Sequence, residues 1–309
     1  MPKIPTHARV IIIGGGVIGC SLAYHLAKQG WQDIVLLERK QLTSGTTWHA
    51  AGLIGQLRAT ATMTRLAKYS ADLYGALNAE TGIATGMREC GSITVALSDE
   101  RHEELLRQAS MARAFGVDVE VIGPSEVKAR YEHLNTDGVL AGVFVPKDGQ
   151  ADPANIALAL AKGARANGAL LLEQVRVTGF RRTGRRISGV EWSSAENTGF
   201  MVADMVVNCA GMWGHAVGRM AGVNVPLHAC EHFYIVTEPI PGLTQLPVLR
   251  VPDECAYYKE DAGKILLGAF EPLAKPWGMQ GIPEDFEFDQ LPEDFDHFEP
   301  ILKAAVNRL

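Results

Sequence analysis

Four consecutive apolar residues, Val10 to Ile13, run into a glycine-rich turn and then into apolar positions at helical spacing. A run that is apolar on both faces predicts a strand buried inside a parallel sheet. Val17, Ile18, Leu22, Ala23 and Leu26 recur every three or four residues, which predicts a helix over 17–28 ended by Gly30. A second all-apolar run predicts a return strand over 34–37. Residues 10–38 therefore read as strand, turn, helix, strand.

The pattern continues with a helix over 63–81, carrying Leu66, Tyr69, Leu73 and Leu77 on one face. A strand over 93–97, an amphipathic helix over 99–115 and a strand over 117–122 follow. Pro124 opens a short helix, since proline suits the first helical turn. Residues 138–146 read as an extended strand. Asp152 and Pro153 mark the next helix as N-cap and first position, and its alanine-rich face runs to Gly168. A strand over 169–173, a hairpin over 175–180 and 187–192, and an all-apolar strand over 205–209 come next. The chain closes on an acidic turn and a helix over 291–309, and its stop at Asn307-Arg-Leu is expected for the N-terminal part of a longer protein.

This order predicts an α/β fold with interleaved domains. A Rossmann-type nucleotide-binding domain takes 1–80 and 150–225; a mixed, largely antiparallel substrate domain takes 81–149 and 226–290. Residues 291–309 form a helical segment after both.

Composition narrows the partners. With 47% hydrophobic residues among 309, the chain is an ordinary globular one. A net charge of −6 with scattered Lys and Arg argues against nucleic acid. The one basic run, Arg181 to Arg186, lies between two predicted strands and reads as a solvated hairpin tip. The five cysteines are odd in number, with none at zinc-site or redox-motif spacing. No leader is expected before the first strand, and no apolar stretch approaches the roughly 20 residues that span a bilayer. These features predict a soluble cytoplasmic protein without disulfides, metal or membrane partner.

The glycines carry chemistry. Gly14 permits the tight turn, Gly16 lets a pyrophosphate approach the backbone, and Gly19 lets the helix pack on the sheet. The helix start offers free N–H groups to phosphates. Nineteen residues after Gly19, Glu38 ends the second strand, where an acid accepts ribose hydroxyls and repels a 2′-phosphate. The Arg39-Lys40 tail and the hydroxyl-rich Ser44, Gly45, Thr46 and Thr47 favour FAD over NAD. Eleven residues past Glu38 stands His49, which on composition alone is an ordinary polar loop residue.

The stretch Thr43-Ser-Gly-Thr-Thr-Trp-His-Ala-Ala-Gly-Leu53 closely resembles the dimethylglycine and sarcosine dehydrogenase family of flavoenzymes. Resemblance continues through Val145-Pro-Lys-Asp-Gly-Gln-Ala-Asp-Pro153, Asn208-Cys-Ala-Gly-Met-Trp213, Glu231-His-Phe-Tyr234 and Ala256-Tyr-Tyr-Lys259, and so spans essentially the whole chain. It implies FAD held covalently through His49, with Gly52, Val177 and Trp213 also at the cofactor. It further implies that His232 and Tyr257 are catalytic and handle the proton of a substrate ammonium; Tyr258 points to the opposite face by strand alternation. The substrate it implies is a small N-methyl amino acid, oxidatively N-demethylated by hydride transfer to flavin. The electron acceptor stays open, and folate enters only with a further C-terminal region. Arg58 and Arg250 suit a carboxylate but stay outside the catalytic set, and His215 and His228 read as structural or surface residues. Two alternatives remain: a related amino-acid or amine oxidase with non-covalent FAD, and a non-catalytic FAD-fold subunit of a heteromeric oxidase.

Overall fold

The apolar run at the start of the chain becomes the strand His7–Ile13 in the computed structural model, which describes residues 4–309. Met1, Pro2 and Lys3, within the predicted 1–80 segment, lie outside the described residues. Val10, Ile11 and Ile12 are fully buried because the strand has parallel neighbours on both sides: Ile34–Leu37, and the end of Thr198–Asn208. Leu170–Leu172 extends the sheet parallel beyond Ile34–Leu37, and the hairpin Arg176–Thr183 and Arg186–Ser193 extends it antiparallel on the other side. Helices Val17–Lys28 and Pro153–Ala166 cover one face. Ala157, Ala159, Ala161 and Ala164 are fully buried there, and a Cβ on Gly163 would stand 2.8 Å from the Tyr24 ring. Small residues let the two helices approach closely. The Asp152 side chain caps the second helix by accepting from Asn155 N–H at 3.0 Å.

The second sheet has seven strands, in the order Tyr234–Val236, Lys264–Ala269, Ala256–Asp261, Val248–Val251, Ser92–Ala96, Ala141–Val145, Glu120–Ile122. Only the pair Val248–Val251 with Ser92–Ala96 is parallel. Its far face packs Ile93, Leu249, Tyr258 and Leu267 against Phe298 and Ile301 of the helix Phe295–Arg308. Arg308 at that helix's end is buried, paired with Glu254 and donating to the carbonyls of Asn135 and Asp137. The near face carries Asp99–Ala114 at one end and, at the other, Tyr257 and Lys259, which face the loop holding His49 and Ala51. Among the described residues no helix is long and apolar enough to cross a membrane.

Three local expectations change. The helix predicted over 63–81 is Ala61–Thr81, capped by Thr60, but it buries Thr64, Ala71, Leu77 and Thr81. Leu66 and Tyr69 are 57% and 49% exposed. The face is chosen by small residues that fit the neighbouring helices, and Tyr69 bonds instead to His25 Nε2 at 2.8 Å. The strand expected over 205–209 is the tail of the longer Thr198–Asn208, which pairs antiparallel first and parallel after; Asp204 interrupts its apolar pattern. Of 117–122, only Glu120–Ile122 pairs, as a sheet edge.

Burial pushes the Tyr131 and Tyr258 phenols well above their ordinary value and the Tyr257 phenol up to about 12. The native state thus keeps protons that the unfolded chain loses near pH 10, so this contribution is full below pH 10 and vanishes as pH rises through the higher native values. Urea midpoints are expected to fall steeply above pH 10. Tyr258→Phe should flatten that fall, and an unchanged slope in this variant would contradict the assignment.

Candidate cofactor and substrate site

The turn after the opening strand is built for close backbone approach. Gly14 has φ +111°, and a Cβ there would stand 2.4 Å from the Cys209 carbonyl oxygen. A Cβ on Gly19 would stand 1.9 Å from the Gly14 carbonyl oxygen, and one on Gly16 3.0 Å from Thr47 Oγ1. Thr47 Oγ1 accepts from Val17 N–H at 3.1 Å and so fixes the start of the helix. Glu38 Oε2 accepts from Gly15 N–H at 2.6 Å, and Oε1 from Lys40 N–H at 2.8 Å. Burial dominates its titration and raises the carboxyl above its usual range.

Gly14, Gly15, Gly16, Val17, Glu38 and Thr47 wall a cleft together with Arg39, Ser44, Gly45, Thr46, Val177 and Trp213. The Arg39 guanidinium lies 4.0 Å over the Trp213 ring and donates to the carbonyls of Glu284 and Phe286 at 3.0 and 2.7 Å. Phe288 N–H donates to the Ser44 carbonyl at 2.9 Å. Residues 284–288 thus strap the segment from Arg39 to Ser44 from outside, a contact with no local signal in the sequence. Gly19 acts by packing behind the wall. Gly52, at φ +73°, is also off both cavity walls; a Cβ there would meet the Ala151 carbonyl oxygen at 2.1 Å.

Beyond the cleft opens a cavity of about 1010 Å³ lined by His49, His232, Tyr234 and Tyr257. Thr46 and Met212 line both spaces. His49 stacks on Trp48, with centroids 4.8 Å apart and planes at 8°, and burial lowers its pKa, favouring neutral imidazole. Its loop is pinned by Lys259 Nζ, which donates to the Ala51 carbonyl at 3.1 Å.

Strand register assembles a row of residues beside this cavity. Arg250 pairs with Tyr257, Tyr257 with Gly268, and Gly268 with Tyr234, so the four share one rung and one face. Tyr258 turns into the core on the other side. With its phenol at about 12, Tyr257 stays protonated at neutral pH and is a hydrogen-bond donor. His232 presents Nδ1 to Glu271 Oε2 at 2.8 Å. Sequence reasoning missed Glu271, because an isolated glutamate past a strand end carries no motif.

Arg58 and Arg250 line neither space. They gather with Asp148 around Gly55, whose Cβ would meet Arg58 Nη1, Asp148 Oδ2 and Arg250 Nη2 at 3.2, 3.4 and 3.5 Å. His215 Nδ1 lies 2.8 Å from the Val225 carbonyl oxygen, and His228 lines the wide cavity.

The tyrosine's seat depends on Gly268, where a Cβ would stand 1.9 Å from Tyr257 Cζ. Gly268→Ala is therefore expected to drive the Tyr257 ring out of place and to cost activity comparable to Tyr257→Phe. The melting temperature should change by only a few degrees, since the moving atoms border a cavity. Equal turnover in Gly268→Ala and the parent would refute that seat.

A sequence profile described as "DAO: FAD dependent oxidoreductase" matches residues 9–309. The mitochondrial sarcosine dehydrogenase of Homo sapiens is 39% identical over 99% of the chain and 33% of that protein. The mitochondrial pyruvate dehydrogenase phosphatase regulatory subunit of Mus musculus is 37% identical over 99% of the chain and 35% of that protein. The chain thus spans about a third of the length of these relatives. Among solved structures, L-proline dehydrogenase from P. horikoshii superposes with a TM-score of 0.85 at 26% identity, over 99% of the chain and 78% of that one.

Proposed function

The chain belongs to the DAO family of FAD dependent oxidoreductases, and from that premise we propose that it oxidises the C–N bond of a small N-methyl amino acid. Sarcosine and dimethylglycine are the type substrates, in line with its similarity to human sarcosine dehydrogenase. The observation that carries this reading is the convergence of His49, His232 and Tyr257 on one cavity that shares Thr46 with the glycine-lined cleft.

The chain's own residues fit FAD. A side chain at Gly14, Gly16 or Gly19 would meet the Cys209 carbonyl, Thr47 Oγ1 or the Gly14 carbonyl, so the turn stays tight at the helix start, whose first N–H groups have no partner within the helix. The indole Nε1 atoms of Trp48 and Trp213 are buried without a partner among the described residues. Each Glu38 oxygen retains a second lone pair for a ribose hydroxyl. In this reading Arg39, Ser44, Gly45, Thr46 and Thr47 hold the central part of the cofactor, Val177 and Trp213 flank it, and neutral His49 is its covalent anchor. FAD supplies the hydride acceptor.

The residues supply position and proton handling. A protonated amine has no lone pair to assist hydride loss, so its N–H proton must leave first. His232 accepts it at Nε2. Tyr257 donates a hydrogen bond to the substrate carboxylate, which orients the amine without occupying its lone pair. The methyl carbon then loses hydride, and water adds to the resulting iminium to release formaldehyde and the demethylated amine.

Anaerobic addition of sarcosine or dimethylglycine to the flavin-loaded protein is expected to bleach the flavin's visible absorption, with one formaldehyde released per flavin. Bleaching by unmethylated amino acids instead would move the assignment to an amino-acid oxidase. Failure with both groups would favour a second reading, a non-catalytic flavin-fold subunit, which the 37% identity to the mouse regulatory subunit supports.

A further inference from the structure

Glu271 is a buried charge with no part in the steps above. It lies just past the strand Lys264–Ala269, and its side chain is 2% exposed, whereas that of its partner His232 is 63% exposed. Oε2 stands 2.8 Å from His232 Nδ1, and Oε1 accepts the Phe233 backbone N–H at 2.8 Å. A carboxylate so far from water is costly unless paired and hydrogen-bonded. Here both oxygens are committed to two consecutive residues. One carboxylate therefore grips the imidazole and the backbone beside it.

We propose that Glu271 is the positioning residue of this site, holding His232 with Nδ1 protonated and Nε2 free toward the cavity. This rests on the proposed role of His232 as proton acceptor. An exposed histidine has two neutral tautomers and several rotamers, and only a ring with the Nε2 lone pair free can take the substrate's proton there. When Nε2 accepts that proton the ring becomes a cation. The Nδ1 proton stays where it is, and its bond to Glu271 becomes charge-assisted on both sides. The same carboxylate sits close enough to Tyr257 to oppose ionisation of its phenol, after the larger effect of burial. One buried anion thus keeps an acceptor and a donor in complementary states.

The test is Glu271→Gln in the flavin-loaded full chain. The amide keeps an oxygen for Phe233 N–H and the side-chain volume, and removes the charge. Anaerobic flavin reduction by substrate is expected to slow at least about 10-fold, short of the 10²–10⁴-fold loss on removing a general base. Substrate affinity should change little, and Glu271→Asp should restore part of the rate. In a His232→Asn background, Glu271→Gln should cost nothing more. Nitrogen NMR of histidine-labelled protein, with the His232 signal identified by its loss in His232→Asn, should report a protonated Nδ1 in the parent and a shift toward protonated Nε2 in Glu271→Gln. An unchanged tautomer, or an equal rate loss in the His232→Asn background, would overturn the positioning role. If His232→Asn itself reduces flavin at the parent's rate, the proton-acceptor reading fails instead, and the imidazole spectrum alone decides whether Glu271 holds the ring.

Discussion

Alanine in place of His49 is expected to remove all flavin fluorescence from the acid-denatured polypeptide, while the native variant still binds FAD. The two halves of this result have separate causes. Covalent retention needs a nucleophilic imidazole, and burial lowers the His49 pKa so that the neutral ring prevails at pH 7. That preference is lost as pH falls through the lowered value, so attachment should be slower in acid. Reversible binding depends instead on the glycine turn, the helix start and Glu38, which line the cleft, whereas His49 lines the wider cavity. The variant should lose on the order of 1 kcal/mol of stability with its ring stack on Trp48. Mass analysis of the denatured parent and variant checks the prediction. Intact FAD released from the parent would end the covalent assignment and favour an oxidase with dissociable flavin.

Removing both proton-handling groups is expected to have the largest effect on turnover. His232→Ala should slow anaerobic flavin reduction by about 10²–10⁴-fold, the range for a positioned general base. Tyr257→Phe deletes a single hydrogen bond, worth about 1 kcal/mol or somewhat under tenfold. Both side chains line the same cavity, so their losses should fall short of additive if they act on one bound substrate. Reduction by dithionite, which needs neither residue, should be unchanged and serves as the control for an intact flavin site. Full turnover in the double variant would support the non-catalytic subunit instead.

Within the candidate site, legibility follows distance along the chain. The glycine turn, Glu38 and the hydroxyl-rich loop were visible because their constraints are local: a positive φ at Gly14, close approach at Gly19, an acid at a strand end. The clamp from Arg39 to the carbonyls of Glu284 and Phe286 joins positions more than 240 residues apart and leaves no pattern in either segment. Arg250 drew notice as a carboxylate ligand by residue type. Its position in the fold instead groups it with Arg58 and Asp148 around Gly55.

What the sequence by itself determined are the elements and their polarity: the buried strand His7–Ile13, the capped helix Pro153–Ala166, and the alternation that turns Tyr257 and Tyr258 to opposite faces. Those properties arise from backbone sterics and from periods of 3.6 and 2, which act over a few residues. Only the tertiary structure decided which rungs align. It set Arg250, Tyr257, Gly268 and Tyr234 in one row, brought Glu271 to His232, and turned Leu66 and Tyr69 of the helix Ala61–Thr81 to solvent. Register and packing minimise the energy of the whole assembly, where one apolar face competes with another for the same neighbour. No short window of sequence contains that competition.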